Sequence, residues 1–267
     1  MKWSYILFLP ALVSLLWAGC TLLFKRRLTA AQVLLSIMLV MLAVAMVMLG
    51  VYFRGHSGVL FLYDYIFEVL STLSVAVFYI GVCALTEPRG VKVRQRMVML
   101  VPFLFIVCLT AGAYSLGWRG YDQMCHNIFS GNVAYVPGDI DYNFMLFWDH
   151  LFFPAFILVY GAVLLFVGTR KVWVYKQRFN SYYAENLNER PIDCRMLVIF
   201  AWMFLPLGVL TFWAVDFRPN YYKYWLIVLS LAMTVMQWFF GRFIYRLDHD
   251  AVFLADYIRE HSGMEGK

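Results

Sequence analysis

The sequence predicts an all-α, polytopic integral membrane bundle of seven transmembrane helices, with its N-terminus outside and its C-terminus in the cytoplasm. Three observations lead there. First, 63% of the 267 residues are hydrophobic and only 14% are charged, with a mean hydropathy of +0.70. A soluble domain needs about 25% charged residues to solvate its outside, so this chain cannot coat a water-facing surface. Second, the apolar residues fall in blocks near the length of about 20 that crosses a bilayer. Third, the 22 Lys and Arg residues alternate in density from loop to loop, which the net charge of +6 does not reveal.

The predicted spans are 3–24, 30–53, 59–86, 97–117, 144–168, 196–215 and 222–245. Backbone polar groups in hydrocarbon must pair within their own segment, so each span is helical. The period-2 alternation of a membrane barrel is absent. The first span follows a single early lysine and has no small-x-small cleavage site before Lys25-Arg26-Arg27, so it is expected to be retained. That basic triplet separates it from the second span. Arg54 closes the second, and Arg89, Lys92, Arg94 and Arg96 divide the third from the fourth. Pro102, Pro154 and Pro206 lie inside the fourth, fifth and sixth spans, where a missing N–H kinks a helix. Only Lys2, Arg54, Arg119, Arg218 and Lys223 fall on one side, and all other basic residues fall on the opposite side. The positive-inside rule assigns the richer side to the cytoplasm.

Residues 1–245 thus read as one membrane domain and 246–267 as a short cytoplasmic helical tail or linker start. Two loops are long. The outer one, 118–143, holds Gly, Pro, Asp and aromatics, and reads as a cap or as a plain connector. The cytoplasmic one, 169–195, begins basic and aromatic, as suits a segment resting on anionic headgroups. In the tail, Leu247, Ala251, Leu254 and Ile258 recur at seam spacing, which suits a homodimer contact or a helix lying on the membrane. The cysteines Cys20, Cys83, Cys108, Cys125 and Cys194 form no CxxC pair, and only Cys125 falls in an outer loop, so no disulfide framework or zinc site is expected.

Ionisable groups inside a span are costly and mark candidate sites. Asp64 and Glu68 are four apart in the third span and share one helical face. They sit roughly 8 Å and 14 Å below the outer surface at 1.5 Å per residue. Asp149 and His150 lie near the outer end of the fifth span. If these two spans pack together, the four groups line one outward-facing polar cavity. Tyr63 and Tyr65 would contribute to it, and Trp148, Asp216, Arg218, Tyr221 and Tyr222 would rim it. Neighbouring carboxylates repel, so a proton tends to be shared between them. Such a cavity suits a small cationic or polar ligand, or a proton. The same groups also suit an interhelical network with a purely structural role.

Other residue types restrict the chemistry. His150 is the single histidine in a span, which disfavours an intramembrane metal site or paired-histidine haem ligation. The last span has no central lysine, and no GxSxG, HExxH or P-loop motif occurs. Ser71, Thr72 and Ser74 read as packing hydroxyls and Gln237 as interhelical glue. No catalytic residue, bound metal or cofactor is expected.

The stretch Phe179–Leu197 (FNSYYAENLNERPIDCRML), followed by two spans and a short exit helix, resembles the seven-helix membrane portion of membrane-anchored AraC-type transcription regulators of Bacteroidetes-like bacteria. In that group a linker and a helix-turn-helix DNA-binding domain follow the membrane part. The resemblance implies a sensory module in the bacterial inner membrane that relays an outer-side stimulus to a cytoplasmic output domain or protein. The sequence given has no room for the DNA-binding helices, so no direct nucleic-acid contact is expected of it. Two other functions fit the same residues: a small proton-coupled transporter using Glu68, and an intramembrane metal-dependent enzyme.

Overall fold

A computed structural model of the chain describes residues 3–52, 60–87, 92–102, 140–186, 195–213 and 222–247, with isolated positions between 104 and 138. Every regular element among them is helical. A 3-10 turn, Trp3–Phe8, leads into α1 (Leu9–Phe24); Pro10 in its first turn has no N–H for the Ile6 carbonyl, which accepts from the Ser230 hydroxyl at 2.8 Å instead. The chain continues as α2 (Ala30–Tyr52), α3 (Leu60–Thr86) and the short α4 (Val93–Arg96), which is extended by the 3-10 turn Met97–Met99. Next come α5 (Ile140–Phe147), the π-helical turn Trp148–Phe152 and α6 (Phe153–Asn186), followed by α7 (Arg195–Trp213) and α8 (Tyr222–Arg246).

Five of these helices are long and apolar enough to cross a membrane, namely Tyr5–Phe24, Ala30–Tyr52, Tyr65–Thr86, Phe153–Gln177 and Lys223–Arg246, and a shorter apolar helix covers Arg195–Leu210. The fourth predicted span lies outside the described residues beyond Pro102 except at scattered helical positions. The outer loop 118–143 lies largely outside them, and the tail after Leu247 wholly so. Large apolar side chains remain exposed along whole helices, among them Leu12, Leu16, Val159, Phe166 and Val235. Soluble monomers rarely expose continuous apolar patches of that extent, and a bilayer solvates them.

The helices pack in a ring: α1 on α2, α2 on α3, α3 on α6, α6 on α7, α7 on α8, and α8 back on α1. Small residues permit the close crossings, since lipid gives apolar side chains no drive to associate and packing must supply the attraction. At Gly81 a β-carbon would lie 2.8 Å from Leu35 Cδ2, and at Gly241 it would collide with Trp17. Leu35, Leu39, Phe78, Leu85, Phe200 and Phe240 fill one half of the interior. There the Phe200 and Phe240 rings stack at 3.8 Å. The cavity between α2, α3, α6 and α7 is about 20 Å³ and lined mainly by apolar side chains, large enough only for a water.

Two predicted boundaries are corrected. The helix of the predicted fifth span begins at Ile140 rather than 144, its stretch apolar enough to cross a membrane covers Phe153–Gln177, and it runs on to Asn186 through most of the expected loop 169–195. No Gly or Pro occurs between Thr169 and Arg190, so nothing stops the backbone ladder once it leaves the apolar stretch. From Gln177, where the apolar span ends, the helix continues for about 14 Å at 1.5 Å per residue. At Pro154, where a kink is expected, the turn just before the proline is π-helical. Proline there lacks the N–H for the His150 carbonyl and crowds it. The backbone widens just before it, with the Phe153 N–H bonding the Trp148 carbonyl. Pro206, by contrast, is carried within a continuous α7.

The end of the bundle that carries Lys25–Arg27, Arg94, Arg96 and Arg246 is held by a set of polar contacts. Thr29 and Gln32 cap α2 reciprocally: the Thr29 N–H donates to Gln32 Oε1 at 3.0 Å and the Gln32 N–H to Thr29 Oγ1 at 3.2 Å. Gln32 is fully buried, and its Nε2 donates to the Ile244 carbonyl of α8 at 3.0 Å. Leu247, the first residue of the predicted tail seam, is itself buried in the core.

Candidate functional site

The candidate site begins on α3. Glu68 and Thr72 are both fully buried, so the face that carries Glu68 points into the bundle. The Thr72 hydroxyl donates to the Glu68 carbonyl at 2.9 Å, and Ser74 donates to the Ser71 carbonyl at 2.7 Å. These hydroxyls are engaged with their own helix, as expected of packing residues. Asp64 lies one turn before Glu68 on α3, but its side chain is outside the described residues. A fully buried carboxylate in a span carries an ionisation cost that a surface carboxylate does not.

The helix of the predicted fifth span carries the other two acid–base candidates. Asp149 and His150 sit within the π turn, with side chains outside the described residues. An aromatic cluster surrounds that turn. Trp148 stacks on Phe105 at 5.6 Å and lies tilted against Phe152 at 4.6 Å, and Phe105 stacks on Phe156 at 4.4 Å. Tyr65 of α3 packs on the same cluster of Phe105, Phe153, Ile157 and Val209 as Trp148. Tyr63 joins Tyr142 and Leu146 of α5 around Phe67, Leu226 and Leu229. The immediate sequence neighbours of Asp64 and of Asp149 therefore share one packed cluster, and α3 runs along α6 directly below. Tyr63 and Tyr65 are partly buried and pack on these clusters. The predicted rim residues Asp216, Arg218 and Tyr221 lie outside the described residues, as does the Tyr222 side chain. Among the described residues no group of His, Cys, Asp and Glu is arranged to hold a metal ion.

Sequence reasoning missed a polar cluster at the other end of α3. Glu87 Oε1 accepts from Gln95 Nε2 at 2.6 Å and pairs with Lys171 of α6. The Lys92 N–H donates to Gln95 Oε1 at 2.7 Å. This arrangement ties α3, α4 and α6 together. One signal was readable: Gln95 stands amid Lys92, Arg94 and Arg96, and a neutral amide there is suited to receive one group while giving to another.

Comparisons with known protein families, curated proteins and solved structures gave no match.

Proposed function

We propose that the protein is the sensory input module of a signalling system, crossing the bacterial plasma membrane seven times with its basic end in the cytoplasm. In this reading a proton or a small cationic or polar ligand acts at Asp64, Glu68, Asp149 and His150, which lie toward the outer side. The observation that carries it is the π turn. Such one-turn irregularities recur at functional sites in helices, and this one bears Asp149 and His150 while packing through Trp148 onto the cluster that holds Tyr65. Output would leave through the extension of α6 beyond the apolar span and through the end of α8, toward a cytoplasmic domain or protein. The resemblance of Phe179–Leu197 to the membrane portion of AraC-type regulators supports a transcriptional output.

Disulfide trapping tests the site. Cysteines are placed at 64 and 149 in native membranes, in a chain whose five cysteines are replaced. Rapid bridging is expected. No bridging, with each single cysteine open to a maleimide, separates the acids and removes the shared site. For the response, a spin-label distance between the ends of α6 and α8 is compared at pH 5 and pH 8. A change that disappears in the Asp64→Asn, Glu68→Gln double variant is expected; a change that persists there counts against these carboxylates as the input.

A second reading rests on Glu68 being fully buried within a span, the setting of a proton-coupling carboxylate in a small transporter. Proton uptake into proteoliposomes that is lost in Glu68→Gln would favour it over sensing.

A further inference from the structure

The basic end of the bundle carries a feature independent of that reading. The turn between α1 and α2 is fastened to the end of α8. Lys25 Nζ donates to the carbonyls of Tyr245 at 2.9 Å and Leu247 at 3.2 Å, and lies 5.9 Å from the centre of the Tyr245 ring. The clamp joins two segments 220 residues apart into one edge. It fixes Lys25, the residue just before Arg26 and Arg27, at the end of α8, whose last two turns carry Arg242 and Arg246. All four arginines are exposed. Arg242 and Arg246 are one turn apart and share a face, where like charges repel. Among the described residues none of the four guanidinium groups is engaged in an ion pair or a hydrogen bond. Asp248 and Asp250 follow in sequence, yet the basic residues outnumber them.

The surface next to this edge is apolar. Leu23 and Phe24, at the end of α1, are 79% and 75% exposed, and Trp238 and Phe239 of α8 are half-exposed. We propose that this edge is a binding site for an anionic phospholipid, its phosphate held by the four arginines and its acyl chains lying along the seam of α1 and α8. A phosphodiester offers oxygens that planar guanidinium groups take by forked, charge-assisted hydrogen bonds. Basic pockets at junctions of membrane helices hold such headgroups. Leu23 and Phe24 end an apolar span, so this edge presents hydrocarbon beside its charge. That favours a lipid over a soluble polyanion. The bound lipid would brace the two segments that Lys25 already joins.

The test uses the full chain in dodecyl maltoside, titrated with dioleoylphosphatidylglycerol, with the melting midpoint read by tryptophan fluorescence. A saturable rise is expected, with none for dioleoylphosphatidylcholine. A basic residue near an anionic surface is worth about 1 kcal/mol, roughly fivefold in affinity. Arg26→Gln with Arg27→Gln should therefore raise the half-saturating lipid concentration by roughly 25-fold, and Arg242→Gln with Arg246→Gln should do the same. Arg94→Gln with Arg96→Gln, which removes two exposed charges from α4 at the same end, should leave it unchanged. Substitution of exposed arginines spares the fold, which equal midpoints in phosphatidylcholine would verify. Equal weakening in all three variants reduces the effect to general attraction and overturns the site. So does an equal rise with inorganic phosphate, which would mark a free-anion site, or the lack of any rise.

Discussion

At the residue scale, the bundle depends on a few positions whose chemistry allows little substitution. Gly241 is one, because a β-carbon there meets the Trp17 ring, and an indole packed between α1 and α8 cannot swing aside as a flexible chain would. Gly241→Ala is expected to destabilise the protein by about 1–3 kcal/mol. Unfolding in mixed micelles would measure this, and combining the change with Trp17→Leu should recover much of the loss. Gln32 is another such residue. It closes the cap of α2 and reaches the Ile244 carbonyl, so Gln32→Leu should cost about 1–3 kcal/mol through polar groups left without partners. Hydrogen exchange at Thr29 and across the last turn of α8 should accelerate in that variant. Of the candidate site, Glu68 was legible in the sequence, since a carboxylate deep in an apolar run has few places to go but inward. The packing of Tyr63 and Tyr65 on two different clusters was not legible. A tyrosine beside an acid reads equally well as a ligand contact or as a packing side chain, and both pack on clusters shared with the fifth-span helix.

At the element scale, apolar blocks located helices well where charges bounded them. The predicted 30–53 became Ala30–Tyr52, because Arg27 and Arg54 frame an uninterrupted run. They failed on the fifth span, whose helix extends under polar sequence at both ends. Hydropathy reports which side chains prefer lipid; helix length is decided by where the backbone ladder is interrupted, and Asp141, Asn143 and Lys176 interrupt nothing. Consecutive spin labels from 173 to 186 should therefore show accessibility with a period near 3.6, and loss of that period after Gln177 would contradict a helical extension. Pro154 directly follows the π turn and its neighbour Phe153, and has no N–H for the His150 carbonyl. Pro154→Ala should let the ladder regularise and turn Asp149 and His150 relative to α3, so bridging between cysteines at 64 and 149 should fall. Unchanged bridging would mean that tertiary packing, rather than proline, holds the turn open.

For the whole molecule, composition alone establishes a helical membrane protein, and the distribution of lysine and arginine supplies an orientation that reporter fusions can check. A reporter active only outside should function after residues 56 and 130, and one active only in the cytoplasm after 27, 91 and 190. Reversal at any of these points would break the seven-span scheme. The ring itself was not legible. Local pattern assigns each helix a lipid-facing and a buried side, but the contact between the first and last helices joins residues more than 200 positions apart and is set by shapes such as Gly241 against Trp17. That closure has a consequence for biosynthesis. While the chain is being made, α1 and α2 enter the bilayer with Gln32 and Lys25 lacking the backbone acceptors that only α8 provides. The earliest hairpin is therefore the last part to mature, and a nascent protein arrested before its final span would expose a buried amide and an unclamped turn.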